Sequence, residues 1–161
     1  MKKIVIFILI CTNIIFAFDV KDLQALKEDG YCTQCDLSYA DLRDIDLAMS
    51  DLSDSNLSHA NFNNTLAHKA DFSRSDLSYA TFENSNIKGA NFTGANLKNV
   101  NFFEARIWKG NFSNSHIDKC NFNESALGSA IFKNNNLKNS TFKDAILYKT
   151  IYKQNVIGIP K

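Results

Sequence analysis

Glycine is scarce: six in 161 residues, and none falls in the clustered spacing of a phosphate-cradling loop. Histidine is scarcer still, limited to His59, His68 and His116. The formal net charge is only +1, which argues against direct nucleic-acid binding, where a strong basic excess is the usual footprint. No apolar run reaches the ~20 residues of a membrane span. The longest, Ile4 to Ile10 and on through Ile14, Ile15, Phe16 and Ala17, is interrupted by Thr12 and Asn13. Behind the basic Met1-Lys2-Lys3 and ending on a small residue, it reads as a signal peptide over 1–17, with the mature chain starting at Phe18. An uncleaved N-terminal anchor is the alternative. Cys11 follows Ile10, where a lipidation site would want a small residue. The expected location is therefore the bacterial periplasm or exterior, with no stable membrane span once the signal is removed.

What the chain has instead is a beat of five. Every fifth residue from Leu37 to Leu147 is Leu, Phe or Ile, with Ala67 the single exception in 23 positions. Two places before each beat stands Ala, Ser, Thr, Gly or Cys in 20 units, and one place before stands Asp or Asn in 15. A period of five suits neither a helix, at 3.6, nor a strand, at 2. On a helix, five steps of ~100° would smear the apolar residues around the cylinder. The chain must turn a corner in each unit, presenting one large and one small residue inward. Such units bury a core only by stacking.

Units such as Ala40-Asp41-Leu42, Ala60-Asn61-Phe62 and Ala90-Asn91-Phe92 resemble the pentapeptide-repeat family across 35–149, about 70% of the chain. The resemblance implies an all-β, right-handed quadrilateral β-helix with four units, or 20 residues, per coil. The phenylalanines bear on this independently. Phe62, Phe82, Phe102, Phe122 and Phe142 would form one ladder, and Phe72, Phe92, Phe112 and Phe132 the opposite one, with Leu and Ile between. At the usual strand spacing of about 4.8 Å, just under six coils make a rod of roughly 25–30 Å.

Residues 18–34 form a separate N-terminal segment. Asp19 can cap a short helix, Val20, Leu23 and Leu26 mark its apolar side, and Gly30 can end it. A β-helix has open ends, so this helix is expected to act as a lid. The tail 150–161, with Ile151, Tyr152, Val156, Ile157 and Ile159, either lids the last coil or supplies a dimer contact; family resemblance makes a homodimer through an end of the rod one reading.

Cys32 and Cys35 form a C-x-x-C at the start of the repeats. In an exported protein the plain reading is a structural disulfide. Thiol exchange would want the motif at a helix N-terminus, and here it follows the helix. A metal site would need two further ligands, and none lies nearby. Cys120 falls on a small inward site, as a buried free thiol.

No catalytic residue, metal ligand or cofactor is expected. The three histidines fall on different faces or different outward positions, the Asp/Asn position serves the ladder, and a Phe-filled rod is expected to lack the concave pocket a small-molecule site needs. Charge is uneven along the chain: residues 19–60 carry ten acids against Lys21, Lys27 and Arg43, and residues 61–161 carry seven acids against 13 Lys/Arg. Tyr39, His59 and Tyr79 share one outward position in adjacent coils and should stack. Phe103, Arg106, Trp108 and Lys109 are the candidate contact patch, since aromatics and Arg are enriched in interface hot spots. Ala67 leaves a gap beside Leu66, which could turn inward and make that coil irregular. The functional expectation is an exported, non-enzymatic scaffold or interaction module with a protein partner. Two alternatives are a DNA-mimicking topoisomerase-interacting protein, if the chain is cytoplasmic, and a periplasmic thiol-redox role through Cys32 and Cys35.

Overall fold

The computed structural model describes residues 18–153 and 155–158. The signal segment 1–17 with Cys11, and Ile159 in the tail, lie outside the described residues. From Tyr31 onward the chain winds as a quadrilateral β-helix. Parallel bridges join residues 20 apart, from Tyr31 with Asp51 to Ala126 with Ile146.

One unit shows why this sequence makes this coil. In residues 60–64, Asn61 N–H donates back one coil to the Ala40 carbonyl (2.9 Å), while Phe62 N–H donates forward to Thr81 (2.7 Å) and Asn64 N–H to Glu83 (2.9 Å). Ala60 N–H closes the corner onto Leu57 (3.1 Å). That leaves Asn63 N–H, which donates to the Asn61 side-chain oxygen at 3.0 Å. All five donors are then satisfied, as buried or crowded backbone requires. The Asp/Asn preference is thus a short side chain accepting from the amide two residues on. The same contact recurs at Asp51, Asp71, Asp76 and Asn91. All but one of the described corners from Gln34 to Lys149, that at Asn139, also hold a residue at positive φ, such as Tyr39 (60°), Asn64 (59°) and Lys109 (61°). That left-handed conformation disfavours side chains, and the ladder bonds on both sides hold it.

The large residues stack inside. Centroids of Phe62, Phe82, Phe102, Phe122 and Phe142 are 4.5, 5.3, 4.9 and 4.9 Å apart in sequence. The opposite ladder of Phe72, Phe92, Phe112 and Phe132 runs at 5.1, 5.0 and 4.9 Å. The two meet edge to face, as at Phe62 and Phe72 (5.6 Å, 85°), an arrangement that suits the ring quadrupole. Phe142 is only partly buried, because it lies in the last coil. Serines at the small inward site return their hydroxyls to the preceding carbonyl, as Ser85 to Phe82 (2.7 Å) and Ser125 to Phe122 (2.6 Å).

The ends complete the rod. Helix α1 (Val20–Asp29) is capped by Asp19, whose carboxylate accepts from Lys21 N–H at 2.8 Å, and is ended by Gly30 at φ 71°. Leu26 is buried and Leu23 packs on the core, but Val20 is 70% exposed, with Phe18 packing in its place. The helix also covers the open edge of the first coil. Asp36 N–H donates to the Asp22 carboxylate (2.8 Å), and the Asp36 carbonyl accepts from Asp19 N–H (3.0 Å).

At the other end, β1 (Ile131–Lys133) pairs in parallel with β2 (Ile151–Lys153), and Tyr152 continues the ladder on Phe132 at 5.8 Å. The coil geometry therefore runs beyond the 35–149 span at both ends. Asn136 then bridges Ile157, a step of 21 rather than 20.

Leu66 does not turn inward: it is 49% exposed, Ala67 is buried, and the bridges to Asp46 and Asn86 stay regular. Asn135 finds backbone partners, donating to the carbonyls of Phe112 and Ser115 at 3.0 Å each, while its Oδ1 has no partner among the described residues.

Candidate interaction surface

A 20-residue coil assigns every outward side chain to one of four faces. The face built from residues 41–44, 61–64 and so on to 141–144 carries six carboxylates against two cations, Arg43 and Lys143. The next face, 46–49 to 146–149, carries five cations, Lys69, Lys88, Arg106, Lys109 and Lys149, against one carboxylate, Asp46. From Leu66 to the end of the rod that second face holds no acid. The other two faces are balanced, each with three acids and three Lys/Arg. Charge is therefore segregated around the rod as well as along it. This was missed in reading the charges along the chain, although placing each charge on the 20-residue frame would have found it.

The candidate patch divides over a corner. Arg106, Trp108 and Lys109 lie on the basic face, with Arg106 and Lys109 exposed and Trp108 half-buried. Phe103 lies on the acidic face beside Glu104 and is also half-buried. The Trp108 ring occupies the position where a side chain at residue 128 would stand: a Cβ on Gly128 would fall 2.1 Å from its ring. Trp108 is thus outward but seated. Leu66, Ile146 and Tyr148 add exposed apolar surface to the same face.

Elsewhere, Tyr39, His59 and Tyr79 stack on the face opposite the basic one, at 4.4 and 4.8 Å with planes within 7°. His116 is three coils from His59 on that face, and His68 is on the basic face. Among the described residues no three His, Cys, Asp or Glu side chains are grouped to hold a metal ion. No helix among them is long and apolar enough to cross a membrane.

The Cys32 and Cys35 sulfurs lie 2.04 Å apart, at disulfide distance, with Cα atoms 5.5 Å apart. Both residues are buried. Ser55 in the next coil ties them down, donating to the Cys32 carbonyl (2.7 Å) and accepting from Cys35 N–H (3.1 Å). Cys120 is a buried free thiol, pushed up to about 12 by burial. Arg74 clasps Asp54 of the preceding coil through two bonds of 2.6 and 2.7 Å, and holds that carboxyl below its usual range; Arg43 does the same for Asp41.

Two family profiles match the chain, one described as a pentapeptide repeat region over residues 25–92, the other as pentapeptide repeats (8 copies) over 95–134. No curated protein matches it. Among solved structures, a pentapeptide repeat protein from the Arabidopsis thaliana thylakoid lumen is 28% identical, with a TM-score of 0.48, over 56% of this chain and 59% of its own length. This chain thus spans under two thirds of that relative. Rfr23 from the cyanobacterium Cyanothece is 18% identical (TM-score 0.48), over 85% of this chain and 97% of its own. QnrB1, a plasmid-mediated fluoroquinolone resistance protein, is 13% identical (TM-score 0.50), over 80% and 68% respectively, a likeness of fold alone.

Proposed function

We propose that this chain, which belongs to the pentapeptide-repeat family, acts as an exported, non-enzymatic scaffold that binds a protein partner through its basic face. The observation that carries the reading is the separation of interior and surface. The inside is filled by stacked Phe, Leu and Ile, and chemistry is left to four outer faces, one of which gathers cations with no ion-pair partner among the described residues around a seated tryptophan. Arg106, Trp108 and Lys109 are the proposed contacts, with Phe103 at the rim over the corner.

Export rests on the N-terminal segment and is supported by the closely placed Cys32 and Cys35, whose bond would persist in an oxidising compartment. A redox-cycling role is disfavoured by access, since the Cys32 residue is 2% exposed and an attacking thiolate has to reach its sulfur. A DNA mimic would want one continuous acidic surface, whereas here the acidic face adjoins a basic one.

The test is the intact mass of the protein from fractionated cells, with thiols alkylated before and after reduction. A periplasmic species starting at Phe18, with two thiols released only by reduction, is expected. A full-length cytoplasmic species with every thiol free would overturn export. For the contact surface, a photo-crosslinker in place of Lys109 should capture a protein that one in place of Lys138 does not, and R106E should abolish the capture. Equal capture from both sites would refute the assignment of the face.

A further inference from the structure

The basic face contains a notch whose chemistry points to a smaller ligand than a protein. In the corner column that runs Met49, Lys69, Gly89, Lys109, Ser129 and Lys149, residue 89 alone has no side chain. Removing a side chain there opens a surface cleft of about 380 Å³, lined by His68, Lys69, Asn86, Lys88, Gly89 and Lys109. Lys69 and Lys109 stand one coil to either side of Gly89, about 10 Å apart along the rod at the usual strand spacing. Lys88 and His68 flank it from the next column.

None of the three lysines has an ion-pair partner among the described residues; the pairs found there are Arg43 with Asp41, Arg74 with Asp54, and Lys143 with Asp144. The face carries no carboxylate in these coils to compete for them. Asp71, Glu83 and Glu104, around the two corners, are the nearest acids in the winding; Asp71 is engaged by Ser73 N–H and the Asn91 amide, and Glu83 by the Asn101 amide. Four of the backbone amides that line it are already used, Gly89 N–H by the Trp108 carbonyl at 2.8 Å and Lys69, Asn86 and Lys109 N–H likewise by carbonyls of neighbouring coils, while His68 and Lys88 N–H have no acceptor among the described residues. The charge that would hold a ligand therefore comes from side chains, with two free backbone donors beside them.

We propose that this notch binds a phosphate monoester, as a small phosphorylated molecule or a lipid headgroup. Three ammonium groups offer nine donors and a charge that matches a dianion better than a single carboxylate. The volume exceeds that of phosphate alone and leaves room for the body of the ligand. This goes beyond the scaffold reading and depends on neither export nor a protein partner.

The experiment follows ¹⁵N amide shifts of the full mature chain during titration with inorganic phosphate and glycerol 3-phosphate, against chloride at equal ionic strength. Saturable shifts confined to residues around 68–69, 86–89 and 109 are expected. Binding should weaken about fivefold for each of K69Q, K88Q and K109Q, the upper end for an exposed charge pair. Gly89→Asn fills the notch at no cost to charge. The fold accepts it, because Asn64, Asn84 and Asn114 hold the same positive-φ corner elsewhere; it should abolish the shifts while leaving the melting curve in place.

Sedimentation with phosphatidic acid vesicles, against phosphatidylcholine alone, separates the two sources. Co-sedimentation lost in Gly89→Asn assigns a headgroup; phosphate shifts without it assign a soluble ester. Shifts equal to those of chloride, or insensitive to Gly89→Asn and the lysine variants, would overturn the site. A protein captured from Lys109 with no phosphate shift would leave the scaffold reading standing and this one refuted.

Discussion

Phe102→Ala tests the architecture where it is most constrained. The Phe102 side chain is fully buried, stacked on Phe82 at 5.3 Å and Phe122 at 4.9 Å, and meets Phe92 (5.7 Å) and Phe112 (6.0 Å) edge to face. Truncating a core Phe costs about 3–5 kcal/mol from lost transfer and the residual cavity. The four rings around this site are held by backbone ladders on every side, so collapse into the hole is restricted and the upper half of that range applies, about 4–5 kcal/mol. With a urea m-value of about 1.5–2 kcal/mol/M, the unfolding midpoint should fall by about 2–3 M. Phe142→Ala supplies the internal comparison. Phe142 has the same chemistry and the same ladder but is partly exposed in the last coil, so its truncation should cost about half as much. In a stack of units coupled mainly to nearest neighbours, the central lesion should also broaden the transition, since the coils on either side can unfold separately. Urea melts followed by far-UV circular dichroism read both effects. Equal costs at 102 and 142, or a loss below about 1.5 kcal/mol at 102, would refute the two-ladder core.

Trp108 and Gly128 should behave as one unit. Gly128→Ala forces the indole off its seat and should cost about 1–3 kcal/mol, as overpacking does, with a red shift in the emission of the single tryptophan. In a Trp108→Ala background the same change should be nearly neutral, and additive costs in a double-mutant cycle would contradict the contact. Cys120 should resist alkylation at pH 8 until the rod unfolds. Its raised pKa contributes stability that is whole below the ordinary thiol range, near 9, and is lost as pH climbs toward about 12. Labelling of native Cys120 at the rate of a free thiol would show that the coil around it is open.

The fold was legible because a five-residue beat forces a corner in each unit, the resemblance to the pentapeptide-repeat family implied four such units per coil, and the Phe spacing agreed with two of the four walls. Leu66 shows where that reasoning stopped. Moved inward, it would have gained about 1 kcal/mol, since it is half exposed and a fully buried leucine is worth about 1.5–3 kcal/mol. The move would have broken the bond from its N–H to the Ile45 carbonyl and the one its own carbonyl accepts from Leu47 N–H. Each stranded backbone group costs about 1–3 kcal/mol, so the ladder wins and Ala67 keeps its place. Hydrophobic pattern predicts which residues could enter a core. Hydrogen-bond accounting decides which do.

The same distinction applies to the surface. Read along the chain, the charges divide into an acidic start and a basic remainder, which suggests a polar rod with a positive end. Wound onto the coil, Lys98, Lys119 and Lys138 go to a face that also carries Asp36, Asp76 and Asp118, and their fields largely cancel. Lys69, Lys88, Arg106 and Lys109 go to a face with no acid beyond Asp46, within a few coils of one another. At physiological ionic strength the Debye length is about 8 Å, less than two coils. A ligand at Gly89 therefore senses the lysines one coil away on its own face far more than the distant acids of the N-terminal end. For a solenoid, then, net charge and its division between halves say little about binding, and the charge within one screening length on a single face decides what that face attracts.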